Sequence, residues 1–104
     1  MHDVIGIGYR LRAARALRGM SLWQLAELVG CNRSTLSRYE CGLIARPSMV
    51  ALIVCAEQLG VRVAWLMGME SISPCDDDEE CAWLELACSR LADGRVVKYK
   101  RVSV

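Results

Sequence analysis

Residues 21–42 read SLWQLAELVGCNRSTLSRYECG, and three of these positions carry a tight steric logic. Leu22–Val29 is spaced as a short helix, and Ser21 offers a hydroxyl to its first N–H groups. Gly30 stops it. Asn32 suits the cap of a second short helix, Arg33 to about Glu40, which Cys41-Gly42 ends. Ala26 falls mid-way along the first helix, Gly30 in the turn and Leu36 mid-way along the second. Two helices that cross steeply after a short turn need a small residue at the crossing, a glycine at the corner and an apolar plug opposite. The pattern predicts a helix-turn-helix.

Working outward, residues 4–18 read as a preceding helix. Ile7, Leu11, Ala14 and Leu17 share one face, and Arg10, Arg12, Arg15 and Arg18 fill much of the rest. Gly19 stands where a helix ends. Downstream, Pro47-Ser48 starts another helix, SMVALIVCAEQL, apolar almost all round as a buried central helix would be. Gly60 closes it. A short fifth helix, about Arg62–Met67, carries Trp65 and Leu66 and ends at Gly68.

With Leu36 turned to the core, Arg33, Ser34, Ser37 and Arg38 point outward. Both arginines can donate bidentately to guanine O6 and N7, and the serines can contact bases or phosphates. Tyr39 reads as packing.

Residues 6 to about 68 resemble the Cro and phage-repressor family of helix-turn-helix DNA-binding domains. The resemblance rests on IGYRLRAAR (7–15), LAELVG (25–30), STLSRYECG (34–42), the proline of ARPS (45–48), and AEQLGV (56–61) followed by WLMG (65–68). It implies a five-helix domain acting as a dimer on a palindromic operator. It further implies base contacts at Arg33, Ser34, Ser37 and Arg38. Backbone contacts are implied at Ser21, Gln24 and Asn32 and in the Leu43–Arg46 loop. Arg15 and Glu40 are implied to form a partly buried ion pair, alongside the structural Ala26, Gly30 and Leu36. Two positions depart from the family pattern. Leu22-Trp23 follow Ser21 where polar residues are usual, and Arg62 stands where a capping serine is common. Trp23 is expected to be partly exposed or covered by the C-terminal segment or a partner.

The 104 residues carry 13 Lys+Arg and 12 Asp+Glu, a near balance that hides an asymmetry. Residues 1–70 hold eight arginines, no lysine and five acids, a net +3. Residues 71–104 hold five basic and seven acidic residues, a net −2, with five of the acids in the run Asp76–Glu80. This divides the chain into a DNA-facing domain over 1–70 and an appendix over 71–104. In the appendix Cys81, Leu84, Cys88 and Leu91 recur on one face of a sixth helix, which the acidic run opens and Asp93-Gly94 ends. RVVKYKRVS (95–103) reads as a short strand. The fold class is therefore all-α, with a C-terminal helix and strand expected to dimerise.

Six cysteines without a C-x-x-C pair, and a single histidine at position 2, do not make a zinc pattern. They read as reduced, packing thiols of a cytoplasmic protein, with any redox or metal role falling to Cys75, Cys81 and Cys88. No catalytic constellation, phosphate loop or cofactor motif is present, so an enzyme is not expected. No apolar run is long enough to cross a membrane. The expected partners are an operator duplex and a second copy, with an antirepressor or toxin as a protein partner. An antitoxin, or an interaction module using the same fold without DNA, is the competing function.

Overall fold

The computed structural model describes residues 4–95 and Val97, and the secondary structure among them is helical: α1 Val4–Leu17, α2 Leu22–Val29, α3 Arg33–Glu40, α4 Met49–Leu59, α5 Val63–Leu66 and α6 Asp78–Ala92. Local chemistry sets these bounds. At α2 the Ser21 hydroxyl accepts the Gln24 N–H at 3.1 Å while the Gln24 side-chain carbonyl accepts the Ser21 N–H at 2.8 Å, a reciprocal cap. Asn32 caps α3, Ser48 caps α4 and Asp77 caps α6, each through a side-chain oxygen accepting a main-chain N–H three residues on. Asp78, Glu79 and Glu80 occupy the first turn of α6, where carboxylates face the positive end of the helix dipole.

Ile7, Leu11, Leu25, Leu36, Leu52, Leu59, Leu66 and Leu84 are fully buried in a single core. Leu84 joins it because α6 folds back onto α1, burying Ala87 and Leu91 as well. Helix α1 is sandwiched. Gly8 and Arg15 meet the end of α3, whereas Gly6, Tyr9 and Arg10 line a groove with Cys88 and Ser89 of α6. At 3.6 residues per turn these two sets lie on roughly opposite sides of α1, which puts α6 across it from α3.

One expectation changes. Helix α4 is not buried all round: Met49, Val50 and Ile53 are exposed, because α4 packs against its neighbours with only the Leu52, Cys55, Ala56 and Leu59 face. Of the arginines on the α1 surface, Arg10, Arg15 and Arg18 each reach back with the guanidinium to a protein acceptor. Trp23 is 61% exposed, because α6 covers α1 and not α2. The strand expected over 95–103 lies, apart from Arg95 and Val97, outside the described residues. Val97 packs half-buried against the core.

Candidate DNA-binding surface

Leu36, 1% exposed, and Ala26, 3% exposed, fix how α2 and α3 cross. Between them Gly30 adopts φ +82, a left-handed turn in which its N–H donates to the Ala26 carbonyl. A Cβ there would meet nothing within 4 Å, so the requirement is conformational and not spatial.

This crossing leaves Arg33, Ser34 and Arg38 exposed on the first two turns of α3, with Ser37 half-buried beside them. The four sit at positions 1, 2, 5 and 6 of the helix, one face turned away from Leu36. No hydrogen bond within the described residues uses the Arg33 or Arg38 fork. Each of these exposed planar donors matches the acceptor pair on guanine in the major groove.

The flanking residues are arranged differently. Ser21 and Gln24 commit their acceptor atoms to the reciprocal cap, which leaves the Gln24 side-chain amide as a donor at the start of α2. Asn32 likewise commits Oδ1, at 3.0 Å to the Thr35 N–H and 2.9 Å to its hydroxyl. The Leu43 N–H donates to the Arg38 carbonyl at 2.9 Å, so it terminates α3, and Leu43 presents only an exposed apolar side chain. Arg46 is the exposed cation of the α3–α4 loop.

Behind α3, Arg15 and Glu40 come together. Nε and Nη2 of Arg15 donate to the two carboxylate oxygens at 2.8 and 2.9 Å, and Nη1 donates to the Met20 carbonyl at 3.0 Å. One guanidinium thus ties α1 to α3 and to the α1–α2 turn.

Charge counting does not separate the arginines that face outward from those that bind inward. Arg10 donates to the Leu66 carbonyl. Arg18 grips Glu80 and the Leu59 carbonyl. Arg62, the unconventional cap of α5, binds Ser73 and Asp76 instead, and its N–H donates to the Pro74 carbonyl. Four of the eight arginines therefore bind other parts of the chain, the exposed Arg62 among them, and Arg12, Arg33, Arg38 and Arg46 are exposed without such a bond among the described residues.

One positioning residue escapes sequence reasoning, and a second does more than the packing read for it. At Gly8 a Cβ would sit 2.5 Å from the Glu40 carbonyl oxygen, so only glycine lets α1 rest on the end of α3. A glycine inside a helical stretch is the signal that could have pointed to it. Tyr39 packs against the core, and its hydroxyl accepts the Ser48 N–H at 2.9 Å, pinning the end of α3 to the start of α4.

The helix-turn-helix family model matches residues 11–66, over half of the chain. Among solved structures, the restriction-modification controller protein C.AhdI from Aeromonas hydrophila is 33% identical over 62% of this chain and 96% of its own, with a TM-score of 0.58. A chain of the SinR protein/SinI protein complex is 32% identical over 85% of this chain and 81% of its own, also with a TM-score of 0.58. No curated protein matches by sequence. The chain belongs to the helix-turn-helix family of the Cro and phage-repressor type, and it is a DNA-binding transcriptional regulator.

Proposed function

We propose that this protein is a cytoplasmic, homodimeric repressor of the phage type that places one α3 from each protomer into the major groove of a palindromic operator. The observation that carries this reading is the exposed pair Arg33 and Arg38 on a helix braced from behind by Leu36 and the Arg15–Glu40 fork. Arg33, Ser34, Ser37 and Arg38 read bases. Ser21, Gln24, Asn32, Leu43 and Arg46 flank them along the phosphates, and the amide of Gln24 and the guanidinium of Arg46 are the strongest donors in that set. One such helix covers too few base pairs for useful affinity, so a second copy is required, its helix one DNA turn away at about 34 Å. Residues 71–104 supply the contact between copies in this reading. Its support is placement, since α6 lies across α1 from α3 and a partner seated there leaves the groove clear.

Selection of bound sequences from a random duplex library tests the proposal. A palindrome whose half-site centres stand one helical turn apart is expected, and enrichment of no sequence at all would refute it. Arg38→Ala should remove the preference for that operator over scrambled DNA.

A second reading has its own support. The SinR chain was solved with a protein partner, and the exposed Trp23 gives this chain a large apolar contact point on α2. An antirepressor or toxin docked there would make the protein a regulated repressor or an antitoxin, and co-purification of a second polypeptide would distinguish these from the homodimer alone.

A further inference from the structure

The sulfurs of Cys75 and Cys81 lie 3.8 Å apart, and the Cys81 thiol also donates to the Cys75 carbonyl at 3.3 Å. The other four cysteines show no such sulfur–sulfur contact among the described residues. Both members of the pair are only partly buried, so small reagents reach them. Cys75 stands two residues before the Asp77 cap and Cys81 is the fourth residue of α6, so the two thiols clasp the first turn of this helix. Two apolar side chains commonly staple a helix start in a similar way.

The surroundings give that clasp a consequence. On one side the loop carrying Cys75 is held by Arg62, through the Ser73 and Pro74 carbonyls. On the other, Glu80, next to Cys81, is gripped by Arg18. The thiol pair therefore sits at the junction where the C-terminal segment is fastened to the five-helix domain. None of the residues assigned to DNA touches it.

We infer that Cys75 and Cys81 are an oxidative modification site: a hydroperoxide converts them into a reversible disulfide that fixes the first turn of α6 to the loop held by Arg62. The Cys81 thiolate attacks the peroxide, forming an S–O bond as the O–O bond breaks, and the alkoxide, or hydroxide from hydrogen peroxide, takes up the proton given up by the Cys81 thiol and departs as alcohol or water. Cys75 then attacks the Cys81 sulfenic sulfur, forming the S–S bond as hydroxide leaves and takes up the Cys75 proton as water. Both thiols are oxidised by two electrons in total, and one peroxide is reduced. Burial, and then Cys81 and the Glu80 carboxylate, push the Cys75 thiol up, which suits it to the resolving step rather than the first attack. Closing from 3.8 Å to the ~2.05 Å of a disulfide needs a side-chain rotation at Cys75, which lies outside any helix.

The full chain, reduced and then exposed to hydrogen peroxide, tests this by intact mass. Expected are a loss of about 2 Da, its recovery with dithiothreitol, and a rise in Tm of about 5–10 °C in the oxidised form. Cleavage of the denatured, unreduced chain after Glu79 or Glu80 should leave two fragments joined until reduction. Cys88→Ser should keep the 2 Da loss, and Cys75→Ser and Cys81→Ala should each abolish it. A wild-type chain that shows no loss, a link mapped to another pair, a loss that persists in either variant, or an unchanged Tm would overturn the inference. Where a variant fails to fold, the fragment mapping of the wild-type chain decides alone.

Discussion

Arg15 holds Glu40 with two parallel hydrogen bonds, and only 14% and 7% of the two side chains reach solvent. The pair joins the first helix to the last turn of the recognition helix, so it sets the direction in which Arg33 and Arg38 point. Removing the carboxylate strips a mostly buried guanidinium of its two parallel bonds, which is costlier than losing an exposed pair. Glu40→Ala should cost about 2–4 kcal/mol in denaturant unfolding and weaken operator binding in parallel. Glu40→Gln, which keeps one acceptor, should fall between the two. Unchanged thermal stability in Glu40→Ala would sink the assignment.

Gly8 and Gly30 are both required, for different reasons, and alanine tells them apart. At Gly30 the space is open and the cost is the left-handed backbone, about 1 kcal/mol. At Gly8 the backbone is helical, so alanine should gain helix propensity, yet its Cβ overlaps the Glu40 carbonyl. Gly8→Ala should therefore be destabilising by about 1–3 kcal/mol net, with the loss concentrated where α1 meets α3. Thermal melts of the two variants check this, and a stabilised Gly8→Ala would contradict the close approach.

Local chemistry made much of this readable before any tertiary contact was known. The bounds of α2 and α3 follow from Ser21, Gly30, Asn32 and Cys41-Gly42, each acting within a few residues, and the outward set on α3 follows from one inward leucine and helical spacing. Contacts between distant residues were not readable that way. Periodicity places Arg10, Arg15 and Arg18 on a helix surface but cannot say that they reach Leu66, Glu40 and Glu80, which lie 56, 25 and 62 residues away. The same limit hides Gly8, whose reason is a carbonyl 32 positions later, and the exposed side of α4, whose apolar sequence does not reveal which face its neighbours cover.

The division of the arginines makes a quantitative statement about salt. If Arg46 acts through phosphate, as proposed, Arg46→Ala should weaken binding to operator and scrambled duplex alike. The slope of log K against log salt should fall by about 1 per protomer. Arg33→Ala should instead cost about 1–3 kcal/mol on the operator and little on scrambled DNA. Binding isotherms at several salt concentrations separate the two behaviours, and equal loss of discrimination in both variants would refute the assignment.

Burial pushes the Cys55 thiol from its ordinary value of 9.0 to about 12 and that of Cys88 to about 11. Both are neutral in the folded protein at pH 7–9, and both ionise more easily once unfolded. The stability they confer is complete below about pH 9 and is lost as pH rises through 11–12. Urea midpoints should therefore decline from pH 9 upward and stay level just below it. Alkylation near pH 8 should reach the exposed Cys41 first and leave Cys55 and Cys88 for the unfolded chain. Early labelling of Cys55 would show that the core between α3 and α4 opens.

Arg18 and Glu80 meet at 2.7 and 3.0 Å, with about a quarter of each side chain in solvent, and they join the end of α1 to the first turn of α6. Arg18 also donates to the Leu59 carbonyl, so the guanidinium is held whether or not Glu80 is present. Glu80→Gln should then act on α6 and leave the helix-turn-helix intact. Because the pair is partly solvated, the loss should be about 1 kcal/mol. In hydrogen exchange that appears as roughly fivefold faster opening of α6 amides, with α3 protection unchanged. If residues 71–104 also join the two copies, the same substitution should shift the dimer toward monomer in sedimentation while a monomer's thermal unfolding stays cooperative. Faster exchange in α3 would mean that α6 braces the recognition helix through α1, and that the DNA-reading and C-terminal parts of the chain do not open independently.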